Sequence, residues 1–188
     1  MKKLFIAAAF LVAGLAGKAQ TEKGNYIIGA QLANIGADLR DGANTFKLGL
    51  SPRAGWFLQD NFALGAEVQL GLTASKASKP MFDYGVVPFA RYYFPVQAIN
   101  HVEKTRFFAE ASAGVGGMAY SGENTVGFKG GAGAGIAYFV SPNIALETMA
   151  KLNVLAGDGP ATLSPNINLG FQIHLPTKKL REMRGDIK

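Results

Sequence analysis

The chain has no cysteine. That excludes disulfide staples, thiolate nucleophiles and lipid attachment through a leader cysteine. It has only two histidines among 188 residues, His101 and His174, which leaves little for imidazole catalysis or a metal site. Beyond the N-terminus no stretch approaches the roughly 18 unbroken apolar residues of a membrane-spanning helix. Charged residues make up only 17%, fewer than the surface of a soluble sandwich usually carries. Glycine is the exception to this scarcity, with 24 residues.

The N-terminus is built for export. Met1-Lys2-Lys3 precedes an almost wholly apolar run from Leu4 to Leu15, and small residues stand at Gly17 and Ala19. This is the pattern of a secretory signal peptide, and its apolar run is too short to span a bilayer as a helix. Residues 1–19 are therefore expected to leave, with Gln20 first in the mature chain. Residues 20–176 form one domain, and 177–188 form a basic tail.

The formal charge of +6 belongs to the two ends. Lys2, Lys3 and Lys18 leave with the leader, which takes +6 to +3. The tail carries Lys178, Lys179, Arg181, Arg184 and Lys188 against Glu182 and Asp186, a balance of +3. The region between is neutral, so no basic stripe marks a nucleic-acid binder.

The dominant signal is a period of two. From Phe62 to Ala74, one face carries Phe62, Leu64, Ala66, Val68, Leu70 and Leu72; the other carries Ala63, Gly65, Glu67, Gln69, Gly71 and Thr73. Alternation of this kind marks a strand with one apolar face and one small or polar face. Eight such segments are expected, at 26–39, 45–58, 62–74, 82–94, 106–120, 126–140, 144–155 and 164–175. An even number of apolar-out, polar-in strands predicts an all-β fold, an eight-stranded antiparallel up-and-down transmembrane β-barrel.

The connections support this order. Gln59-Asp60-Asn61 and Ser141-Pro142-Asn143 are tight turns. Segments 40–44, 75–81, 121–125 and 157–162 are polar loops, placed outside if the N-terminus is periplasmic. The connection 95–105 is long for a periplasmic one. Aromatics gather at strand ends: Trp56, Phe57, Phe62, Tyr92 to Phe94, Phe107, Phe108, Tyr138 and Phe139 at the periplasmic end, Phe46, Tyr84 and Tyr120 at the other. They predict two interfacial girdles, with Trp56, Phe62, Tyr92, Phe94, Phe107 and Tyr138 in the first. Pro52 and Pro88 fall inside strands and predict local bulges or kinks.

Parity places Lys47, Arg53, Glu67, Arg91, Arg106, Glu110, Lys129, Glu147 and Lys151 on the inner face. Glycines 49, 65, 71, 114, 116, 131, 133 and 135 make room for them. The turn at Asp60 puts Arg53 across from Glu67, and Arg91 and Glu110 are set to pair likewise. These charges predict a closed polar plug, as in small barrels that fill their interiors. The alternative is a narrow pore, biased toward anions by six bases against three acids.

No catalytic constellation stands out. His101 and His174 have no activating partner in sequence and read as solvated or structural. No metal-ligand spacing occurs. Gly127 to Gly135 lacks both G-x-G-x-x-G and a Gly-Lys-Ser/Thr ending, so it reads as a glycine-faced strand. No cofactor is expected.

Four segments carry a family resemblance: Ser51-Pro52-Arg53-Ala54-Gly55-Trp56-Phe57, Pro88-Phe89-Ala90-Arg91-Tyr92-Tyr93-Phe94, Phe107-Phe108-Ala109-Glu110-Ala111 and Asn168-Leu169-Gly170-Phe171. Across the mature chain the sequence resembles the small outer-membrane β-barrel domain family, often labelled porin-family and similar to the OmpA and OmpX barrels. The resemblance implies an eight-stranded barrel in the Gram-negative outer membrane, with Arg53, Glu67, Arg91 and Glu110 as lumen charges. The chain departs from the common pattern in lacking a terminal phenylalanine; its last strand ends His174-Leu175.

The expectation is an integral outer-membrane protein, not an enzyme, with a structural or surface-interaction role. Its expected partners are outer-membrane lipid, the barrel-assembly machinery and an extracellular ligand at the outer loops, with no nucleic acid and a monomeric state. A small-solute pore and a soluble secreted ligand-binding barrel are the alternatives. The last requires an apolar interior and a polar exterior, the reverse of the parity here.

Overall fold

Alternating side chains and short turns give eight strands in a computed structural model that describes residues 21–38, 45–75, 78–95, 104–157 and 161–177. The leader, the tail, His101 and most of the connection 95–105 lie outside the described residues. In chain order the strands are β1 (Tyr26–Asp38), β2 (Thr45–Gln59), β3 (Phe62–Ser75), β4 (Ser78–Tyr93), β5 (Thr105–Tyr120), β6 (Glu123–Ser141), β7 (Ile144–Ala156) and β8 (Thr162–Leu175). Each pairs with its neighbours in sequence, and β1 pairs antiparallel with β8, closing the barrel. Closure gives every strand two partners, which a wall crossing a bilayer requires.

One end, here called the base, holds both described chain ends. Thr21 and Lys23 tie to the β2–β3 turn: Thr21 Oγ1 donates to Asn61 Oδ1 at 2.7 Å, and Lys23 N donates to Asp60 Oδ1 at 2.8 Å. Thr177 Oγ1 donates to the Gly24 carbonyl. The expected tight turns at 59–61 and 141–143 both lie here. Asn61 sits at φ 65°, a conformation asparagine tolerates in turns.

The opposite end, the rim, departs from expectation. Two loops, 75–81 and 121–125, are mostly strand. β6 begins at Glu123, so β5 turns into β6 through Ser121 and Gly122 alone, at φ 54° and 92°. Positive φ at both central residues is the mark of a tight hairpin turn that matches strand twist. Polar composition suggested a loop; long paired strands beyond the apolar band carry the same polarity.

The expected bulges at Pro52 and Pro88 are absent. Pro52 pairs with Ala30 on β1, and register across β2–β3 is the same on either side of it. Pro88 pairs with Ala66 on β3, and the β4–β5 register is likewise kept. Each proline interrupts pairing on one side only, because it lacks a donor without adding a residue. Register shifts fall elsewhere, at Ala33/Gly36, Phe57/Gln59, Thr73/Ser75 and Phe139/Ser141.

The barrel is apolar outside and polar within. Ile28, Leu32, Leu48, Leu50, Val68, Leu70, Val86, Leu146, Leu152 and Leu169 are exposed on the wall, while Arg53, Glu67, Arg91, Glu110, Glu147 and Lys151 are buried. Exposed apolar residues in such number would be a liability in water. On a lipid-facing wall they are the required surface.

Candidate functional site

The lumen is filled in layers. At the base lies a plug of inward side chains: Ile27, Phe57, Ala63, Tyr93, Phe108, Phe139 and Ala145. The His174 ring sits among them, with centroids 5.2 Å from Phe139, 5.8 Å from Phe57 and 6.0 Å from Tyr93. His174, expected to be solvated or structural, is buried rather than solvated.

This layer corrects the aromatic reading. Phe57, Tyr93, Phe108 and Phe139 do not belong to a girdle; they point into the barrel. Their chain neighbours Trp56, Tyr92, Phe94, Phe107 and Tyr138 are exposed on the wall, and Phe62 is half-buried beside Tyr92. Adjacent residues on a strand face opposite ways, so half of each aromatic pair serves the interior. At the rim, Phe46 and Tyr120 are exposed, and Tyr84 donates to Asn124 Oδ1 at 2.6 Å.

Above the plug is a charge network. Arg53 Nη2 lies 2.6 Å from Glu67 and 2.9 Å from Glu110. Arg91 lies 2.7 Å from Glu110 and 2.8 Å from Glu147. Lys151 lies 3.3 Å from both Glu67 and Glu110. Both pairs expected from register, Arg53 with Glu67 and Arg91 with Glu110, are directly opposite on their ladders. Contacts across the lumen complete them: Arg53 on β2 reaches Glu110 on β5, and Arg91 on β4 reaches Glu147 on β7. Gln172 adds a bond to Glu147 at 2.9 Å.

An aromatic face lies against each guanidinium. The Phe89 ring centroid is 4.1 Å from the Arg53 guanidinium carbon, and that of Phe108 is 4.0 Å from Arg91. Cation–π contacts of this kind strengthen when desolvated. Glycine provides the room, as expected. A Cβ on Gly65 would lie 2.5 Å from Phe89, and one on Gly135 would lie 2.5 Å from Phe108.

Toward the rim, Lys129 Nζ lies 2.6 Å from Asp83 and 3.3 Å from Gln69 Oε1. Asp83 was not among the expected lumen charges. Parity with Arg91 on β4 marks it inward, but it lies at the start of the expected segment 82–94, where the alternation had barely begun. Lys47 and Arg106 stand apart at the two ends. Lys47 is exposed at the rim and Arg106 half-buried near the base; among the described residues neither joins an ion pair.

The network is thus balanced: Arg53, Arg91, Lys129 and Lys151 against Glu67, Asp83, Glu110 and Glu147. The excess of bases behind the anion-selective alternative is not found in it. Among the described residues no three His, Cys, Asp or Glu side chains are grouped to hold a metal.

No protein-family model matches the chain, and no curated protein matches its sequence. Solved structures do match in fold. Neisserial surface protein A is similar over 80% of this chain and 99% of its own, with 17% identity and a TM-score of 0.60. The N-terminal β-barrel domain of Pseudomonas aeruginosa OprF is similar over 81% of this chain and 98% of its own, with 17% identity and a TM-score of 0.51. The chain has the fold of the small eight-stranded outer-membrane β-barrels.

Proposed function

We propose that the chain is an integral outer-membrane barrel with a sealed lumen, serving a structural or surface-interaction role without catalysis. The observation that carries this reading is the interior. Two arginines and a lysine are buried against three glutamates over an aromatic base, with charges balanced and contacts made across the lumen. Hydrogen-bonded charge of this density fixes side chains in place and leaves no continuous file for solute.

The wall supports the membrane placement. An apolar band meets exposed Trp56, Tyr92, Phe94, Phe107 and Tyr138 near the base, where amphipathic rings favour the headgroup level. With the base periplasmic, the chain ends and short turns face the periplasm and the rim faces outward. Outer-membrane lipid and the assembly machinery are then its obligate partners, and a monomer suffices. The rim is the surface left for an extracellular partner.

The test is planar-bilayer recording on protein whose fold is checked by detergent gel. A boiling-dependent mobility shift with no current steps above baseline is the expected result. Steps from wild-type protein would overturn the sealed lumen. A protein without a heat shift, recovered soluble from the periplasm, would overturn the membrane placement.

A further inference from the structure

The last strand ends among the interfacial aromatics. Leu175 closes β8 and pairs with Tyr26 of β1, which pairs on its other side with Trp56 of β2. Tyr26 and Trp56 are 44% and 48% exposed on the outer wall. Amphipathic rings favour the headgroup level. The chain therefore leaves the wall at that level, not from the middle of the base.

The exit is held in place. Pro176 has no N–H with which to carry the ladder on. Thr177 Oγ1 donates to the Gly24 carbonyl, and Gly24 N donates to the Phe57 carbonyl at 2.8 Å. Pro176 and Thr177 are both half-buried. The segment that follows thus starts beside the membrane surface.

That segment is the basic tail. Lys178, Lys179, Arg181, Arg184 and Lys188 stand against Glu182 and Asp186. Among them Leu180, Met183 and Ile187 recur at intervals of three and four, the spacing that sets apolar residues on one side of a helix. Lys179 precedes Met183 by four and Arg184 follows Leu180 by four, so bases border the apolar side. The base of the barrel does not neutralise them. Among the described residues there, Lys23, Lys104 and Arg106 outnumber Glu22 and Asp60.

Resting on the membrane placement above, we propose that residues 178–188 bind anionic phospholipid of the periplasmic leaflet. The bases meet headgroup phosphates, and Leu180, Met183 and Ile187 enter the boundary beneath them. A soluble anionic polymer would satisfy the bases and leave the three apolar residues in water; a charged leaflet takes both. The attraction of such a leaflet fades within a Debye length, roughly 8 Å in physiological salt. The Thr177 anchor starts the tail within that reach. A choline headgroup carries its own cation and offers the bases no net charge.

The experiment uses the folded barrel with its tail, in vesicles of phosphatidylcholine at low salt, with Trp56 as the reporter. The probe is phosphatidylglycerol brominated on its acyl chains, compared with phosphatidylcholine brominated alike. Phosphatidylglycerol should quench Trp56 at about fivefold lower mole fraction, the ratio expected from roughly one basic contact. Phe128→Trp in a Trp56→Phe background reports from the exposed wall toward the rim and should show no preference. Two variants should abolish the preference at Trp56: Lys178→Gln/Lys179→Gln/Arg181→Gln/Arg184→Gln, and Leu180→Ser/Met183→Ser/Ile187→Ser. So should about 1 M salt, where screening acts over about 3 Å.

Equal quenching of Trp56 by the two lipids overturns the site and is the result for a tail that serves a soluble polymer or folds back on Glu22 and Asp60. A preference that survives either set of substitutions overturns it as well. Each variant is first checked for the heat-dependent gel shift. Loss of that shift in wild type would instead overturn the membrane placement on which the site rests.

Discussion

Glu110 accepts from both Arg53 and Arg91, which reach it from β2 and β4. The Arg91 pair is the direct cross-strand neighbour; the Arg53 contact spans the lumen. Lys151, from β7, adds a third cation at 3.3 Å. One carboxylate thus joins three strands, and two other glutamates share the cations around it.

Removing one member leaves a partner buried with too little counter-charge. Arg91→Met strands Glu147, whose only cation among the described residues is Arg91, and takes one of three from Glu110, so about 3–5 kcal/mol of folding stability should be lost. Urea titration of the folded barrel in lipid vesicles, followed by the gel shift, measures this. A midpoint unchanged from wild type would mean that the network contributes nothing to the closed barrel.

Parity gives a sharper test of the lipid-facing wall. Val68 is exposed and Gln69 faces inward beside Glu67, to which it donates at 2.8 Å. Val68→Arg should cost about 2–4 kcal/mol near the bilayer midplane. On a water-facing wall the same change would be close to neutral. Stability compared between vesicles and wild type decides between the two surroundings.

The glycines differ in what they do. A Cβ at position 135 would lie 2.5 Å from the Thr148 carbonyl oxygen as well as from Phe108. Gly135→Ala should therefore overpack the wall and cost about 1–3 kcal/mol. At Gly122, φ is 92° and nothing lies within 4 Å of a new Cβ, so Gly122→Ala should cost about 1–2 kcal/mol through backbone strain alone. Only the first should be relieved by shrinking a neighbour, Phe108→Leu. A double-mutant cycle of the two changes reads that coupling.

Trp56 is the sole tryptophan, so emission reports one place. It lies on the outer wall near the base. Lipids brominated close to the headgroup should quench it more strongly than lipids brominated at the chain end. The reverse order would put the base at the wrong depth and shift the aromatic girdle off the interface.

The sequence showed much of this fold because a strand period of two needs only local order. The eight segments, the apolar exterior, the two facing pairs Arg53–Glu67 and Arg91–Glu110, and the tight turns at the base were all legible. Adjacent aromatics misled, since Trp56-Phe57 and Phe107-Phe108 look like clusters in a line of text. Alternation sends one of each pair to the wall and the other to the interior. Prolines misled too, because a missing donor interrupts a ladder without changing its register.

What the sequence by itself determined is the alternation: which residues can share a face, and that one face is fit for lipid. What only the tertiary structure decided is what meets across the closed wall. Asp83 finds Lys129, Glu110 gathers three cations, and His174 settles among rings from three other strands. Those encounters join residues far apart in the chain, and they exist only because closure folds the two edges of the sheet onto one another.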